Sequence, residues 1–78
     1  MHLEVERLDY KVDCLKSVYD AIDAAVSELE SIQLHSPLVD TSDILSSLRE
    51  KRLFVLNLTF EARRDLFAAY CKHEVKHV

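Results

Sequence analysis

Five residues near the C-terminal end of the sequence have the spacing of a zinc site. His73-Glu74-Val75-Lys76-His77 matches H-E-x-x-H, in which two histidines on one helix face bind zinc and the glutamate is the general base. We expect no protease, because the sequence stops at Val78 and supplies neither a third ligand nor a substrate-binding strand downstream. Adventitious zinc or nickel binding by His73 and His77, with Cys71, is an alternative. The favoured interpretation is a helix end whose positive charges suit the helix dipole.

The other reactive side chains do not form a catalytic set in the sequence. The chain has no glycine, which argues against a phosphate-binding loop of the usual kind. The aspartates of the first half follow a polar helix face, and none is paired in an apolar pocket as a catalytic acid and base would be. Cys14 and Cys71 have no basic pair nearby and are interpreted as ordinary thiols. We therefore predict no enzymatic activity, no metal and no cofactor.

Four arginines in the second half of the chain could contact phosphate groups. They are Arg49, Arg52, Arg63 and Arg64. On a helix, Arg49 and Arg63 share a side with Arg52 nearby, whereas Arg64 points elsewhere. Residues 1–34 contain eight acids and three bases, and residues 35–78 contain six acids and seven bases, so neither half has the basic excess of a nucleic-acid-binding surface. A dimeric nucleic-acid-binding regulator is the alternative function. The favoured interpretation is that these arginines form a solvated rim opposite the acidic residues of the first half, in the same or a second subunit.

Length and composition indicate one small helical domain. A chain of 78 residues with a single proline and no glycine suits a few long helices better than a sheet with several hairpins. No signal-peptide pattern begins the sequence, and the uncharged run at residues 53–60 is too short to span a bilayer. We therefore expect a cytoplasmic protein with free thiols and no membrane partner. A lone domain of this size is marginally stable unless it is oligomeric.

The first half contains two apolar series, each with a period of seven, offset from each other by three residues. One series is Val5, Val12, Tyr19 and Val26, and the other is Leu8, Leu15, Ile22 and Leu29. This is the a/d pattern of a coiled coil, in which a narrow apolar seam packs against another helix. It predicts a first helix over residues 3–34, approximately.

Pro37 turns the chain back, and a second long helix is expected after it. Asp40 to Asp43 offer several N-cap residues, so the loop should cover about residues 35–41 and the second helix about residues 42–76. The alternation of apolar residues over 54–60 also fits a strand, or a break before a third helix. At 100° per residue one apolar stripe keeps its phase through that segment, which favours a continuous helix. The stripe contains Ile44, Leu48, Val55, Leu58, Ala62, Leu66 and Ala69, with Lys51 interrupting it.

The second helix has more apolar surface than the first helix can cover. A second stripe lies about 100° or more from the first. It contains Leu45, Leu53, Leu56, Phe60 and Phe67, with Arg63 and Tyr70 interleaved. Exposed apolar stripes of this kind mark interaction sites. The sequence predicts that this one pairs two hairpins as a homodimer or receives a helix of another protein, the two uses being compatible on different faces; a fold-back of the chain over the stripe is the remaining alternative.

We therefore predict an all-α protein, an antiparallel hairpin of two long helices that pairs as a dimeric four-helix bundle. In architecture, though not in motif, such a hairpin resembles secretion chaperones, antitoxin-like or phage-encoded inhibitors, and plasmid regulators. The expected function is non-enzymatic binding of another protein, or of a second copy, as a chaperone, adaptor or inhibitor. The predicted contact residues are Leu53, Leu56, Phe60, Arg63, Phe67 and Tyr70.

Overall fold

The chain folds as two long antiparallel helices. A computed structural model describes residues 3–36 and 38–75, with side chains described up to Lys72. Helix α1 spans Leu3–His35 and helix α2 spans Ser42–Val75, and together they form a rod of 64 × 16 × 13 Å. The described part of the chain contains no strand, and α2 runs unbroken through residues 57–59. The prediction of an all-α helical hairpin is confirmed, and the strand at residues 54–60 is excluded.

The heptad seam of α1 faces α2. Val5, Val12 and Val26 are buried, and Val26 is only 1% exposed. Tyr19 and the four residues of the other series are half-buried. This graded burial is what a narrow seam gives when it packs against a single helix rather than inside a larger core.

The seam of α2 also has a seven-residue period, and it differs in part from the predicted stripe. Its buried and half-buried residues alternate by four and three along the helix. They are Leu45, Leu48, Arg52, Val55, Thr59, Ala62, Leu66 and Ala69. Five of the seven predicted apolar residues lie on this seam, and Leu58 lies beside it, half-buried.

Two placements at the start of α2 were wrong. Ile44 was expected to face α1 but is 54% exposed, whereas Leu45 was expected on the second stripe but is 4% exposed. Lys51 is exposed, and Arg52 interrupts the seam in its place. The physical reason is that a 3.6-residue period drifts by about 20° per heptad from the 3.5-residue period of a coiled-coil seam. Over the three and a half heptads from Ala69 back to Ile44, this drift adds up to most of the roughly 100° that separates adjacent residues. The seam therefore passes from Ile44 to Leu45.

Polar side chains fix the junction between the helices. The Asp40 carboxylate accepts a hydrogen bond of 3.0 Å from the Ser42 backbone N–H at the start of α2. The Thr41 carbonyl accepts the first helical hydrogen bond, from the Leu45 N–H at 2.9 Å, so Thr41 is the N-cap. Its buried hydroxyl donates to Gln33 Oε1 of α1 at 2.8 Å instead of capping its own helix. Thr41 is therefore both the N-cap of α2 and a hydrogen-bonded link to α1.

Neither helix, over its described residues, is long and apolar enough to cross a membrane.

Candidate interaction surface

Two ion pairs on one side of the rod fix the antiparallel register. Arg49 Nη2 donates to Glu30 Oε2 at 2.8 Å, and Arg52 Nη1 donates to Asp23 Oδ1 at 2.7 Å. All four side chains are about one third to one half exposed, so each pair contributes less than about 1 kcal/mol to stability. Their value here is geometric: Glu30 lies opposite Arg49 and Asp23 opposite Arg52. Because the helices are antiparallel, the residues of α1 that precede Asp23 run alongside the residues of α2 that follow Arg52.

The seam itself is polar at two positions of α2 that lie seven residues apart. Arg52 is half-buried, and Thr59 is buried with its hydroxyl donating to the Val55 carbonyl at 2.8 Å. That local bond satisfies the hydroxyl, which would otherwise be costly to bury. Together the two side chains remove two apolar contacts from the centre of the interface between the helices.

On the side of the ion pairs, α2 carries a run of apolar and aromatic side chains, most of them exposed, with one arginine among them. We call it the aromatic stripe, and it consists of Leu53, Leu56, Phe60, Arg63, Phe67 and Tyr70. Leu56 is half-buried against Tyr19 and Asp20 in the groove between the helices. The other five are exposed, Phe60 at 55% and Phe67 at 69%. The structure thus places all six predicted contact residues on one side of α2, outside the seam.

The same side of α1 is acidic. We call its exposed carboxylates the acidic row, which consists of Glu6, Asp9, Asp13 and Asp20. From the register set by the ion pairs, this row runs alongside the part of the aromatic stripe that extends from Leu56 to Tyr70. Within the described part of the chain, no ion pair neutralises these four carboxylates. The surface is therefore apolar along α2 and negative along α1.

Two basic side chains interrupt the acidic row at its centre. Lys16 of α1 and Arg63 of α2 line the same shallow groove, together with Asp20 and Leu56. Both bases are exposed. A partner laid over the groove would meet negative charge at Glu6, Asp9 and Asp13 and positive charge at this central point.

The opposite side of the rod has a different apolar surface, to which both helices contribute. We call it the loop-proximal patch, and it consists of Val18, Ala25, Ile32, Ile44, Phe54 and Leu58. Phe54 is 63% exposed, and Val18, Ile32 and Ile44 are also exposed. The sequence does not reveal this patch, because Ile44 and Leu58 fall on the stripe that is predicted to form the seam. Its signal was present in the g positions of α1, where Val18, Ala25 and Ile32 follow one another at intervals of seven.

The remaining candidate chemistry is not assembled into a site by the described residues. No group of three or more histidine, cysteine, aspartate or glutamate side chains with metal-binding geometry occurs among them, and the H-E-x-x-H histidines lie outside the described side chains. Cys14 and Cys71 are free and exposed. A hydrogen bond to Cys14 raises the pKa of the neighbouring Tyr10 hydroxyl, with the thiolate charge and desolvation as smaller causes.

The four arginines do not form one basic surface. Arg49 and Arg52 are held in ion pairs with α1, Arg63 lies within the aromatic stripe, and Arg64 is exposed. Two of the four positive charges are therefore already paired with carboxylates of the same chain.

No protein-family model, curated protein sequence or solved structure gives a significant match to this chain. Its function is therefore argued from the surface of the hairpin.

Proposed function

We propose that this is a non-enzymatic protein that works by binding another protein through the aromatic stripe, as a chaperone, adaptor or inhibitor. The observation that carries the proposal is the position of the phenylalanines. Two of the three phenylalanines, Phe60 and Phe67, are exposed in the stripe, and Phe54 is exposed on the opposite side, whereas the buried apolar side chains among the described residues are valines, alanines and one leucine. A small protein that keeps its largest apolar side chains outside its core presents a surface suited to a partner.

The size of the stripe supports the same conclusion. Burying a large apolar side chain contributes about 1.5–3 kcal/mol. Leu53, Phe60 and Phe67 are more than half exposed, so a partner that covers them gains most of that free energy at each position. The three lie on every second turn of one continuous helix, an arrangement that suits a partner helix laid alongside α2.

We also propose that the hairpin pairs with a second copy as a four-helix bundle, through the loop-proximal patch. A twofold dimer places the same patch of each subunit against the other, so a suitable patch must be self-complementary. The loop-proximal patch meets this requirement, because it is apolar on both helices apart from the exposed Lys51, which lies between Ile44 and Leu58. The side with the aromatic stripe does not, because stacking two copies there would bring the acidic rows together. This division leaves the stripe available to a different protein.

The structure gives less support to a nucleic-acid-binding function than the positions of the arginines in the sequence do. The ion pairs of Arg49 and Arg52 reduce the positive charge available to phosphate, and the acidic row lies beside Arg63. We therefore rank a nucleic-acid-binding regulator second.

Serine substitutions in the stripe test the proposal. Phe60→Ser with Phe67→Ser removes two exposed phenyl rings, so we expect the hairpin to keep its helical circular dichroism and lose a protein that co-purifies with the wild-type chain. The matched control is Leu3→Ser with Tyr10→Ser, which removes two exposed apolar side chains of α1 that lie outside both surfaces. Identical co-purifying proteins, in identical amounts, for both double variants and the wild type would contradict the proposal.

A further inference from the structure

We infer that the partner segment is an amphipathic helix with a basic edge, which lies along the groove between the aromatic stripe and the acidic row. The inference rests on the proposed function, since it requires the stripe to be a contact surface, and it adds the chemistry of the segment that the stripe receives. It is carried by charge complementarity. One wall of the groove is apolar and aromatic, and the other is a row of exposed carboxylates.

The apolar wall sets the shape of the partner. Leu53, Phe60 and Phe67 project from every second turn of α2, seven residues apart, and Leu56 continues the apolar surface inward toward Tyr19. A helix that presents apolar residues at intervals of three and four matches this periodicity. An extended segment, with alternate side chains on opposite faces, matches it less well.

The acidic wall sets the charge of the partner. Glu6, Asp9 and Asp13 occupy three successive turns of α1 beside the stripe residues Phe67 and Tyr70. The register set by the two ion pairs places them alongside that end of the stripe. Lysine or arginine at the flank of a bound helix would lie against these carboxylates, whereas glutamate there would meet like charges.

The central bases refine the pattern. Lys16 lies between Asp13 and Asp20 along α1, and Arg63 lies between Phe60 and Phe67 along α2. Both bases line the groove, together with Asp20 and Leu56. A single carboxylate near the middle of the partner helix would lie against both bases. The pattern that the groove fits is therefore an apolar stripe, a basic flank toward Glu6 and one acidic residue at the centre.

A second copy of this chain fits the groove poorly. Its α1 would bring another set of carboxylates toward the acidic row, and its only base on that side among residues 6–30 is Lys16. Self-association through this face is nevertheless an outcome that the test below separates from the inference.

Two designed peptides test the inference with the 78-residue chain. Both are stapled helices of the same length with the same leucine and phenylalanine face and one central glutamate; one has lysine along the flank and the other has glutamate there. Fluorescence anisotropy should show the lysine-flanked peptide binding at least about tenfold more tightly, as expected for three partly exposed charge pairs. Added salt should reduce that ratio, since it screens surface charges.

Protein variants locate the effect. Glu6→Gln with Asp9→Asn and Asp13→Asn should abolish the difference between the peptides. The control Glu28→Gln with Glu61→Gln should preserve it, because these exposed carboxylates lie on the opposite side of the rod. Phe60→Ser with Phe67→Ser should weaken the binding of both peptides.

The outcomes separate the inference from the proposed function. Equal affinities for the two peptides, both lost in the phenylalanine variant, would overturn the basic partner and leave the stripe as a binding surface. Binding of neither peptide, or binding unchanged by the phenylalanine variant, would overturn the inference. The co-purification experiment then judges the proposed function separately. A peptide-independent rise in mass that the phenylalanine variant abolishes would show that the stripe pairs two copies instead, and would also overturn the inference.

Discussion

Single polar side chains determine how α2 begins and how it joins α1. The sequence identified Asp40 to Asp43 as N-cap candidates, because short polar residues before an apolar helical stretch stabilise a helix start. It did not show that the Thr41 hydroxyl would cross to Gln33, since a bond between residues in two helices depends on their register. Local capping was predictable from adjacent residues, and the cross-helix bond was not.

Asp40 gives the hairpin a pH dependence of known sign. The backbone hydrogen bond from Ser42, followed by a bond with the Ser42 side chain, holds the pKa of the Asp40 carboxyl below its usual 3.8. A lowered folded-state pKa stabilises the protein above the unfolded value, and this stabilisation is lost as the pH falls through the folded value. We expect Asp40→Asn to reduce the loss of stability between about pH 5 and about pH 3.

Urea unfolding followed by circular dichroism measures this dependence at each pH. Asp43→Asn is the matched control, because Asp43 lies three residues further along, in the first turn of α2, but makes no hydrogen bond to the Ser42 N–H. Equal pH dependence for wild type and Asp40→Asn would show that the Asp40 interaction does not contribute.

At the scale of the elements, α1 could be predicted better than α2. The seam of α1 is apolar at every a and d position from Val5 to Leu29, so its period could be read directly from the sequence. In α2 the corresponding series is interrupted by Arg52 and Thr59, and an apolar Ile44 stands beside Leu45. A prediction based on hydrophobicity alone therefore placed Ile44 on the seam instead of its neighbour Leu45. The correct period required the position of α1, against which Arg52 and Thr59 pack.

Arg52 interrupts the seam, and its replacement tests the energetic cost of that interruption. A half-buried charge in an ion pair contributes little net stability, and an apolar side chain of similar length often does as well or better. We expect Arg52→Leu to leave the free energy of unfolding unchanged or to raise it by up to about 2 kcal/mol. The control Asp23→Asn, which removes only the carboxylate charge, should cost less than about 1 kcal/mol.

Urea denaturation of both variants at neutral pH supplies the comparison. A loss of stability in Arg52→Leu greater than that in Asp23→Asn would mean that the arginine stabilises the seam through more than its pair with Asp23.

At the scale of the whole molecule, the two sides of the rod have different surfaces. The loop-proximal patch is apolar on both helices, whereas the aromatic stripe is apolar on α2 and faces the acidic row on α1. The sequence revealed the stripe, because its members follow a three- and four-residue spacing within one helix. It did not reveal the patch or the acidic row as parts of surfaces, because each combines residues from two helices whose register the sequence did not specify.

Neighbouring residues on opposite sides of α2 test which surface pairs the subunits. Phe54 belongs to the loop-proximal patch and Leu53 to the aromatic stripe. We expect light scattering on a sizing column to give twice the chain mass for the wild type and for Leu53→Glu, and the single chain mass for Phe54→Glu. The physical reason is that a glutamate in a symmetric interface is buried twice, once in each subunit. A monomeric wild type, or dissociation by Leu53→Glu alone, would contradict the proposed pairing.

The central claim is that the aromatic stripe contacts a different protein, and site-specific photo-cross-linking tests it most directly. Phe67 is replaced by p-benzoylphenylalanine in one protein and Ala68 in another. Both positions are exposed, and their side chains point about 100° apart around α2, with position 68 outside the aromatic stripe. On irradiation in the cells from which the protein comes, we predict that the probe at position 67 forms a discrete adduct with a second protein and that the probe at 68 does not. Equal adducts at both positions, or at position 67 only adducts between copies of this chain, would contradict the claim.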